Sequence, residues 1–414
     1  MKAGMTNRYR IGIAGCGPAG LAAALLLHRQ GHEVSLFERF ETPQAVGSGL
    51  MLQPTGLGVL QAMGLAKPIA EKGSRIDRLF GRQESGRIAL DSPYERISPN
   101  AFGLGIHRAS LFHVLFDAVN DASVPIQTCK EVSGSIGELA GRRLSFADGT
   151  TSRPFDLIVD ALGWRTRLAD DCGSILDFGA LWATLPIDEK SPFMPNMLEQ
   201  RYFRASQMIG VLPIGRRAPG GPREVALFWS LKNADYDDWR RRGLDLWKAD
   251  VRALWPAADY LLSRIDDPEQ LTFAQYAHRT ANAGWDRRLF HIGDSWHSAS
   301  PQLGQGANMA LLDAWSLAKG LEHGRNLQEA QRLAIGWRAD HVHWYQAITA
   351  LFTPMYQSDS TLLPMVRDSL LLPMSRYWPG RGLQANLMSG LFGSPLGQLG
   401  LQPPDYDTLA RHAL

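Results

Sequence analysis

Arg10-Ile11-Gly12-Ile13-Ala14-Gly15-Cys16-Gly17-Pro18-Ala19-Gly20, continued by a helical run from Leu21 to Gln30 and by Glu33-Val34-Ser35-Leu36-Phe37-Glu38, is the stretch that decides the fold. The first five residues predict a strand, and the apolar run after the glycines predicts a helix. The last six predict a second strand. In such a strand–turn–helix–strand setting a GxGxxG pattern is a dinucleotide-binding signal. Gly15 permits the tight turn, Gly17 lets a pyrophosphate approach the backbone, and Gly20 lets helix and strand pack closely. Pro18 and Ala19 complete the turn, and the helix N-terminus offers free N–H groups with partial positive charge. Glu38, followed by Arg39, is placed to accept hydrogen bonds from a ribose diol. An acid there disfavours a 2′-phosphate, so the expected ligand is an NAD or the AMP half of FAD.

A second block separates those two. Leu289-Phe290-His291-Ile292 reads as a strand running into Gly293-Asp294-Ser295-Trp296-His297, and Pro301, Gly304, Gly306, Ala307 and Asn308 follow before a helix at Ala310-Leu311-Leu312-Asp313-Ala314. Asp294 at a strand end can accept a hydroxyl bond from a ribityl chain. The 304–308 backbone at a helix N-terminus can support negative charge on a reduced flavin ring. A plain NAD dehydrogenase leaves this block unexplained. One extended cofactor with two distinct ends, FAD, explains both.

Between these motifs lie a glycine-bearing stretch, Gly47-Ser48-Gly49-Leu50-Met51-Leu52-Gln53-Pro54-Thr55-Gly56, and His107-Arg108-Ala109-Ser110-Leu111, which opens an amphipathic helix. An arginine at such a start can hold a phosphate bidentately. Gln127 to Val132 reads as a strand, Arg143 to Phe146 as another leading to the turn Asp148-Gly149, and Asp156 to Asp160 as a buried strand ending at Gly163. From about 175 to 280 alternating strands, at Gln200–Arg204 and Glu224–Trp229, precede a helix from Asp235 to Leu254. The expected fold is therefore α/β: a Rossmann-like FAD-binding domain (1–174 and 281–345), an inserted substrate domain on a mostly antiparallel sheet (175–280), and a helical C-terminal region (346–414).

Composition bounds the rest. The 414 residues are 45% hydrophobic and 20% charged with a net charge of +2, a balance that gives no support for nucleic acid. Arg240-Arg241-Arg242 lies among Asp235, Asp237, Asp238 and Asp245 and reads as a solvated helix face. Cys16, Cys129 and Cys172 have neither disulfide-framework nor zinc spacing; no metal site is expected, and a reducing cytoplasm is. Cys16 fits a turn that wants a small side chain. The basic and apolar N-terminus mimics a signal peptide but is broken by Gly12, Gly15, Gly17, Pro18 and Gly20. No apolar run nears the roughly 20 residues of a membrane span.

Taken in order, GCGPAG with Glu38, Arg108 in the HRASL helix, Val132 after a strand, the turn near Gly163 and GDSWHSASPQLGQGANMALLDA resemble the FAD-dependent aromatic hydroxylases, the group A flavoprotein monooxygenases of the p-hydroxybenzoate hydroxylase fold. The likeness covers nearly the whole chain. It implies that Gly15, Gly17, Gly20 and Glu38 hold the AMP half and Arg108 the pyrophosphate. Val132 would meet adenine through its backbone, Asp294 the ribityl chain, and Pro301, Gly304, Gly306 and Asn308 the isoalloxazine. It further implies NAD(P)H as electron donor, O₂ as co-substrate and hydroxylation of an electron-rich aromatic ring (a phenol, indole or quinone precursor) through a flavin C4a-hydroperoxide. Leu162 stands where relatives carry an aspartate tied to nicotinamide recognition, which leaves the docking of NAD(P)H open; Asp160 lies on the same strand face.

Tyr202, Tyr276, His278 and His297 are candidates for the base, with His297 expected to be structural, and the catalytic group is left unassigned. Trp182, Phe203, Phe228 and Trp229 are candidates to line an aromatic site. The leucine-, methionine- and proline-rich stretch Thr353–Leu401 is open to three readings: packing helices, a partner surface, or a peripheral membrane contact. The alternatives to hydroxylation are a reductase or halogenase on the same scaffold, or a flavoprotein oxidising a Trp or Tyr of a partner polypeptide.

Overall fold

A computed structural model describes residues 8–44, 47–170, 173–283, 288–367, 369, 377 and 380–414. Its base is a five-stranded parallel sheet in the order Leu289–His291, Leu157–Asp160, Arg10–Ala14, Glu33–Phe37, Ile126–Gln127. The strands from Arg10, Glu33 and Leu157 are buried almost throughout, as a parallel sheet covered on both faces requires. Helices Pro18–Arg29, Arg108–Asp121 and Gly306–His323 pack in its largest apolar cluster through Leu21, Leu25, Leu111, Leu115, Leu311 and Leu317. Pro18 opens the first helix, where its missing N–H costs nothing.

Above this lies a seven-stranded sheet: Thr272–Ala274, Phe178–Ile187, Arg223–Lys232, Gln207–Gly215, Met197–Phe203, Arg78–Gln83, Ile88–Pro93. Its pairings are antiparallel except Met197–Phe203 with Arg78–Gln83, which run parallel. Two strands from 78–93 thus join a sheet expected from 175–280 alone. A three-stranded sheet (Gly49–Leu52, Gly103–His107, Ser74–Ile76) links the two layers. It crosses the large sheet at contact distance: a Cβ on Gly105 would lie 2.0 Å from the Pro213 carbonyl oxygen, and one on Gly49 2.5 Å from Ile214.

The strand expected over Gln127–Val132 is two, Ile126–Gln127 and Val132–Glu138, separated by a turn with Cys129 at φ +56°. The helix expected over Asp235–Leu254 breaks at Gly243, whose φ of +82° a helix does not admit, into Tyr236–Arg242 and Leu244–Leu254. Arg240, Arg241 and Arg242 pair with Glu269, Asp238 and Asp250 on the surface.

The C-terminal region is helical, with Gly380–Met388, Pro395–Gln398 and Tyr406–Ala410 following Leu362–Val366. The boundary expected at 345/346 falls inside the 30-residue helix Leu327–Tyr356. Leu396, Leu399 and Leu401 are buried, whereas Leu362 and Met365 are exposed. The Leu370-Leu371-Leu372 run, Pro373 and Pro379 lie outside the described residues. Among the described residues no helix is long and apolar enough to cross a membrane.

Candidate functional site

The first glycine turn divides into two structural glycines and one open one. A Cβ on Gly15, at φ +102°, would lie 2.6 Å from the Ala161 carbonyl oxygen, and one on Gly20 would lie 2.0 Å from that of Gly15. Gly17 faces open space, with nothing among the described residues within 4 Å of its would-be Cβ. The helix behind it starts without a side-chain cap, so its N–H groups are free for a ligand. Glu38 closes the turn: Oε2 accepts the Cys16 N–H at 3.1 Å and Oε1 that of Phe40 at 3.2 Å. Burial and the Glu38 charge push the Cys16 thiol far up, so it is an inert small side chain. Arg39 is exposed and lies over the Phe40 ring. The Val132 side chain is buried with Phe37, Phe146 and Phe155, which leaves only its backbone to meet a ligand.

The late motif meets the early one. A Cβ on Gly293, at φ +62°, would sit 3.3 Å from the Ala19 Cβ and 3.1 Å from that of Ala310. Asp294 is exposed by surface yet closely surrounded by protein. Desolvation raises its carboxyl, while His297 and Arg108 pull it down. An accessible but poorly solvated carboxylate is what the wall of a deep cleft provides. Arg108, at the start of Arg108–Asp121, shares that cleft. Its N–H donates to the Ser48 carbonyl at 2.8 Å, its side chain runs past Gly47, and its charge reaches both Asp294 and Tyr276.

Pro301 begins a single 3₁₀ turn, and Gly304 follows at φ +61°, a left-handed position suited to glycine. A Cβ on Gly306 would come 3.8 Å from Asp294 Oδ1, so the loop and the acid line one space. Pro301 and Gly306 are exposed and Ala307 half-buried, while Asn308 is fully buried. Asn308 acts as a clamp: Oδ1 accepts the Gln53 N–H at 2.8 Å, and Nδ2 donates to the carbonyls of Met51 and Gly304 at 3.0 Å. Its side chain is spent within the protein, and only its backbone remains for a ligand. Around the same helix start, Thr55 Oγ1, Ser300 Oγ, Gln302 Nε2 and Gln305 Oε1 are buried without a partner among the described residues. Each such atom costs about 1–3 kcal/mol, and two of them face the C-terminal region: a Cβ on Gly390 would lie 2.6 Å from Thr55 Oγ1 and 2.7 Å from Gln305 Oε1. The residues present fit FAD.

Behind the loop runs a buried polar chain that sequence reading missed. His297 Nε2 and Asp313 Oδ2 are 2.6 Å apart, the Gly293 N–H donates to Asp313 at 2.9 Å, and Arg338 Nε donates to Asp313 Oδ1 at 2.8 Å. Arg338, which can only donate, bonds His341 Nδ1 at 2.7 Å, so His341 Nε2 carries the proton it gives to the Gly390 carbonyl at 2.9 Å. His297 and Arg338 hold Asp313 below the usual carboxylate range despite its burial. The available signal was an acid inside the apolar run Met309–Leu317. His297 is 3% exposed and commits its Nε2 to Asp313.

Asp160 is occupied likewise. Oδ1 accepts the Leu162 N–H at 3.0 Å, while Oδ2 takes the Thr166 hydroxyl at 2.6 Å and lies 2.7 Å from His291 Nδ1. Asp160 thereby closes the turn.

The base candidates separate by environment. Tyr202 is buried and donates to Gln200 Oε1 at 2.8 Å, and burial holds its phenol well above the ordinary value. Tyr276 is pushed up to about 12 by desolvation, and its oxygen accepts the Trp182 indole N–H at 2.8 Å. Neither is a base near neutrality. His278 is half-buried, with desolvation lowering its pKa, so it is neutral there. Of the aromatic candidates, Trp182 and Phe228 pack together with ring centroids 4.9 Å apart and share a face with Tyr202. Trp229 lies on the opposite face, packed with Trp239 and Trp247 under the helices, which removes it from the cleft. Phe203, next to Tyr202 on its strand, also points away from that face.

A model of the FAD binding domain matches residues 8–330. The 6-methylpretetramide 4-monooxygenase of Streptomyces rimosus is 30% identical over 321 residues, 73% of this chain and 72% of that one. The 6-hydroxynicotinate 3-monooxygenase of Pseudomonas fluorescens is 25% identical over 341 residues, covering 77% and 84%. Among solved structures, the tetrameric form of 2-methyl-3-hydroxypyridine-5-carboxylic acid oxygenase aligns with a TM-score of 0.75 at 19% identity, over 95% of this chain and 98% of that one. Klebsiella pneumoniae HpxO complexed with FAD and uric acid aligns at 0.74 and 18%, over 92% and 98%. At such identity the structural likeness speaks for the fold.

Proposed function

Because the chain belongs to the FAD binding domain family of aromatic-ring monooxygenases, we propose that its substrate is a small, planar, oxygen-bearing ring held between the glycine loops and the face of the large sheet. The chain is an FAD-dependent monooxygenase that hydroxylates an electron-rich aromatic ring, with NAD(P)H and O₂ as co-substrates. Relatives named for hydroxynicotinate and aminohydroxybenzoate support a compact substrate. The single observation that carries the site assignment is the contact between the two motifs at Ala19 and Gly293, which makes one binding surface of two remote turns.

In this reading the early helix start and Arg108 bind the pyrophosphate, Glu38 the ribose diol, Asp294 the ribityl hydroxyls, and the 304–308 backbone the ring edge. When bound, FAD supplies the redox chemistry, passing electrons from NAD(P)H to dioxygen. The chain's own work is to orient the ring and keep water out, through Trp182, Phe228, Leu212 and Ala226 on the facing sheet. Tyr276 is a donor: Trp182 fills one lone pair of its oxygen, and its raised pKa keeps its proton for an anionic oxygen of the substrate. His278 lines a separate depression with Thr280, Trp296, Val342 and Gln346, so the proton acceptor is left unassigned.

The test is turnover under ¹⁸O₂ with NADH or NADPH against a panel of phenols, hydroxypyridines and quinolones. One labelled atom in the ring supports the proposal. Ring-independent NAD(P)H oxidation, yielding only peroxide across the panel, contradicts it.

A further inference from the structure

The Gln53 amide is buried beside the flavin loop, at 1% exposure, and no role given so far involves its side chain. Its Oε1 is committed, because the Tyr94 hydroxyl donates to it. Tyr94 is itself 3% exposed, and burial pushes its phenol far up, so it remains a neutral donor at any ordinary pH. The hydroxyl is wedged: a Cβ on Gly103 would lie 2.6 Å from it and 2.7 Å from Met51 Cε. The Gln53 backbone N–H is separately fixed by Asn308. With the oxygen end pinned, the NH₂ end has one orientation. It points at the flavin loop, where a Cβ on Gly304 would lie 3.7 Å from Nε2. Nε2 donates to no protein group among the described residues.

An amide held by a tyrosine and left with two unused N–H bonds is an oriented donor for an arriving acceptor. Its surroundings define the acceptor. Tyr94 packs with Met51, Leu79, Leu90, Leu212, Ile214 and Ala226, and half-buried Trp182, Leu198 and Met388 border the same cluster. That cluster is the layer between the flavin loop and the large sheet. It is apolar and, at Gln53, supplied with one directed donor.

We propose that Gln53 Nε2, oriented by Tyr94, donates to an oxygen on a planar ring in this layer, either a carbonyl of the flavin or the hydroxyl or keto oxygen of the substrate. The inference rests on the FAD reading only for what occupies the loop; the direction of the amide comes from its own contacts. Gln53 is thereby a ring-orienting residue and Tyr94 the residue that positions it.

The experiment uses the FAD-loaded full chain with Q53L and Y94F. Q53L keeps the backbone bond to Asn308, and Q53M serves as a second variant of similar shape should Q53L fold poorly, as judged by FAD content and far-ultraviolet dichroism. The first arm measures the flavin absorption spectrum and two-electron potential without substrate. Donation to a flavin carbonyl predicts a potential lower in Q53L by about 30 mV for each tenfold loss of preference for the reduced state, with a smaller shift in Y94F. The second arm titrates 6-hydroxynicotinate and nicotinate by flavin fluorescence. Donation to a substrate oxygen predicts an unchanged potential and a three- to tenfold loss of the wild-type preference for the oxygenated ring. If neither potential nor preference moves in Q53L and Q53M, the proposal is overturned. Failure of any form to bind FAD would instead overturn the functional reading on which it depends.

Discussion

Arg338 Nε donates to Asp313 Oδ1 at 2.8 Å, and both side chains are fully buried. This pair joins the long helix Leu327–Tyr356 to the helix that starts at the flavin loop, and through the Gly293 N–H it reaches the GD turn. A charge pair out of water is costly to leave half-made. Arg338→Met is therefore expected to lower stability by about 3–5 kcal/mol, because Asp313 keeps its burial and loses a neighbour. Denaturant titration of the FAD-loaded protein gives the stability, and the released flavin gives its coupling to the site. An Arg338→Met form as stable as the parent would deny the pair this role.

The two kinds of glycine in the early turn separate fold from ligand. Gly20→Ala places a methyl against the Gly15 carbonyl and is expected to cost about 1–3 kcal/mol of stability. Gly17→Ala places a Cβ with no described protein atom within 4 Å, so the apoprotein should melt like the parent while FAD binds tenfold or more weakly. Melting curves and flavin-fluorescence titrations of both variants check this. Equal effects of the two on FAD affinity and melting would refute the division.

Glu38 should matter to both turn and ligand. Glu38→Gln keeps an acceptor and is expected to weaken FAD modestly. Glu38→Ala removes the partner of the Cys16 and Phe40 N–H groups and should weaken FAD roughly tenfold to a hundredfold, as for loss of about 1.5–3 kcal/mol from charge-assisted bonds. Titration of the apoprotein reads both.

His341 gives a signed dependence on pH. Burial and the Arg338 charge lower it from the ordinary histidine value to about 3, so the folded chain holds it neutral. Below about pH 6.5 the unfolded chain takes up a proton that the folded one refuses. Stability from this group is thus present above 6.5 and falls as pH drops, by up to about 1.4 kcal/mol per pH unit, until near 3. Unfolding free energies of the parent and His341→Gln between pH 7 and 4.5 should diverge at the high end and converge at the low end. Parallel curves would show that His341 does not titrate this way.

What could be read from the sequence was what geometry forces on residue type. Gly15 and Gly20 are glycines because a backbone oxygen occupies the place of their side chains, and that constraint is visible in the spacing. Gly304 was legible as a turn glycine because its φ of +61° suits no bulky side chain. The parallel pairing of Met197–Phe203 with Arg78–Gln83 was not, since nothing local marks which strands meet across such a separation. Phe228 and Trp229 had to point to opposite faces of their strand, but only packing reveals that Trp229 is the one under the helices. Asp160 was placed on the strand face of Leu162, but its partners, Thr166 and His291, come together only in three dimensions.

The most direct measurement is a crystal structure of the FAD-loaded chain. The account predicts the pyrophosphate over Gly17 beside Arg108, the ribityl hydroxyls on Asp294, and the ring edge against the 304–308 backbone. Density for FAD that leaves Asp294 without contact, or that places the ring away from the Pro301–Asn308 loop, would contradict it.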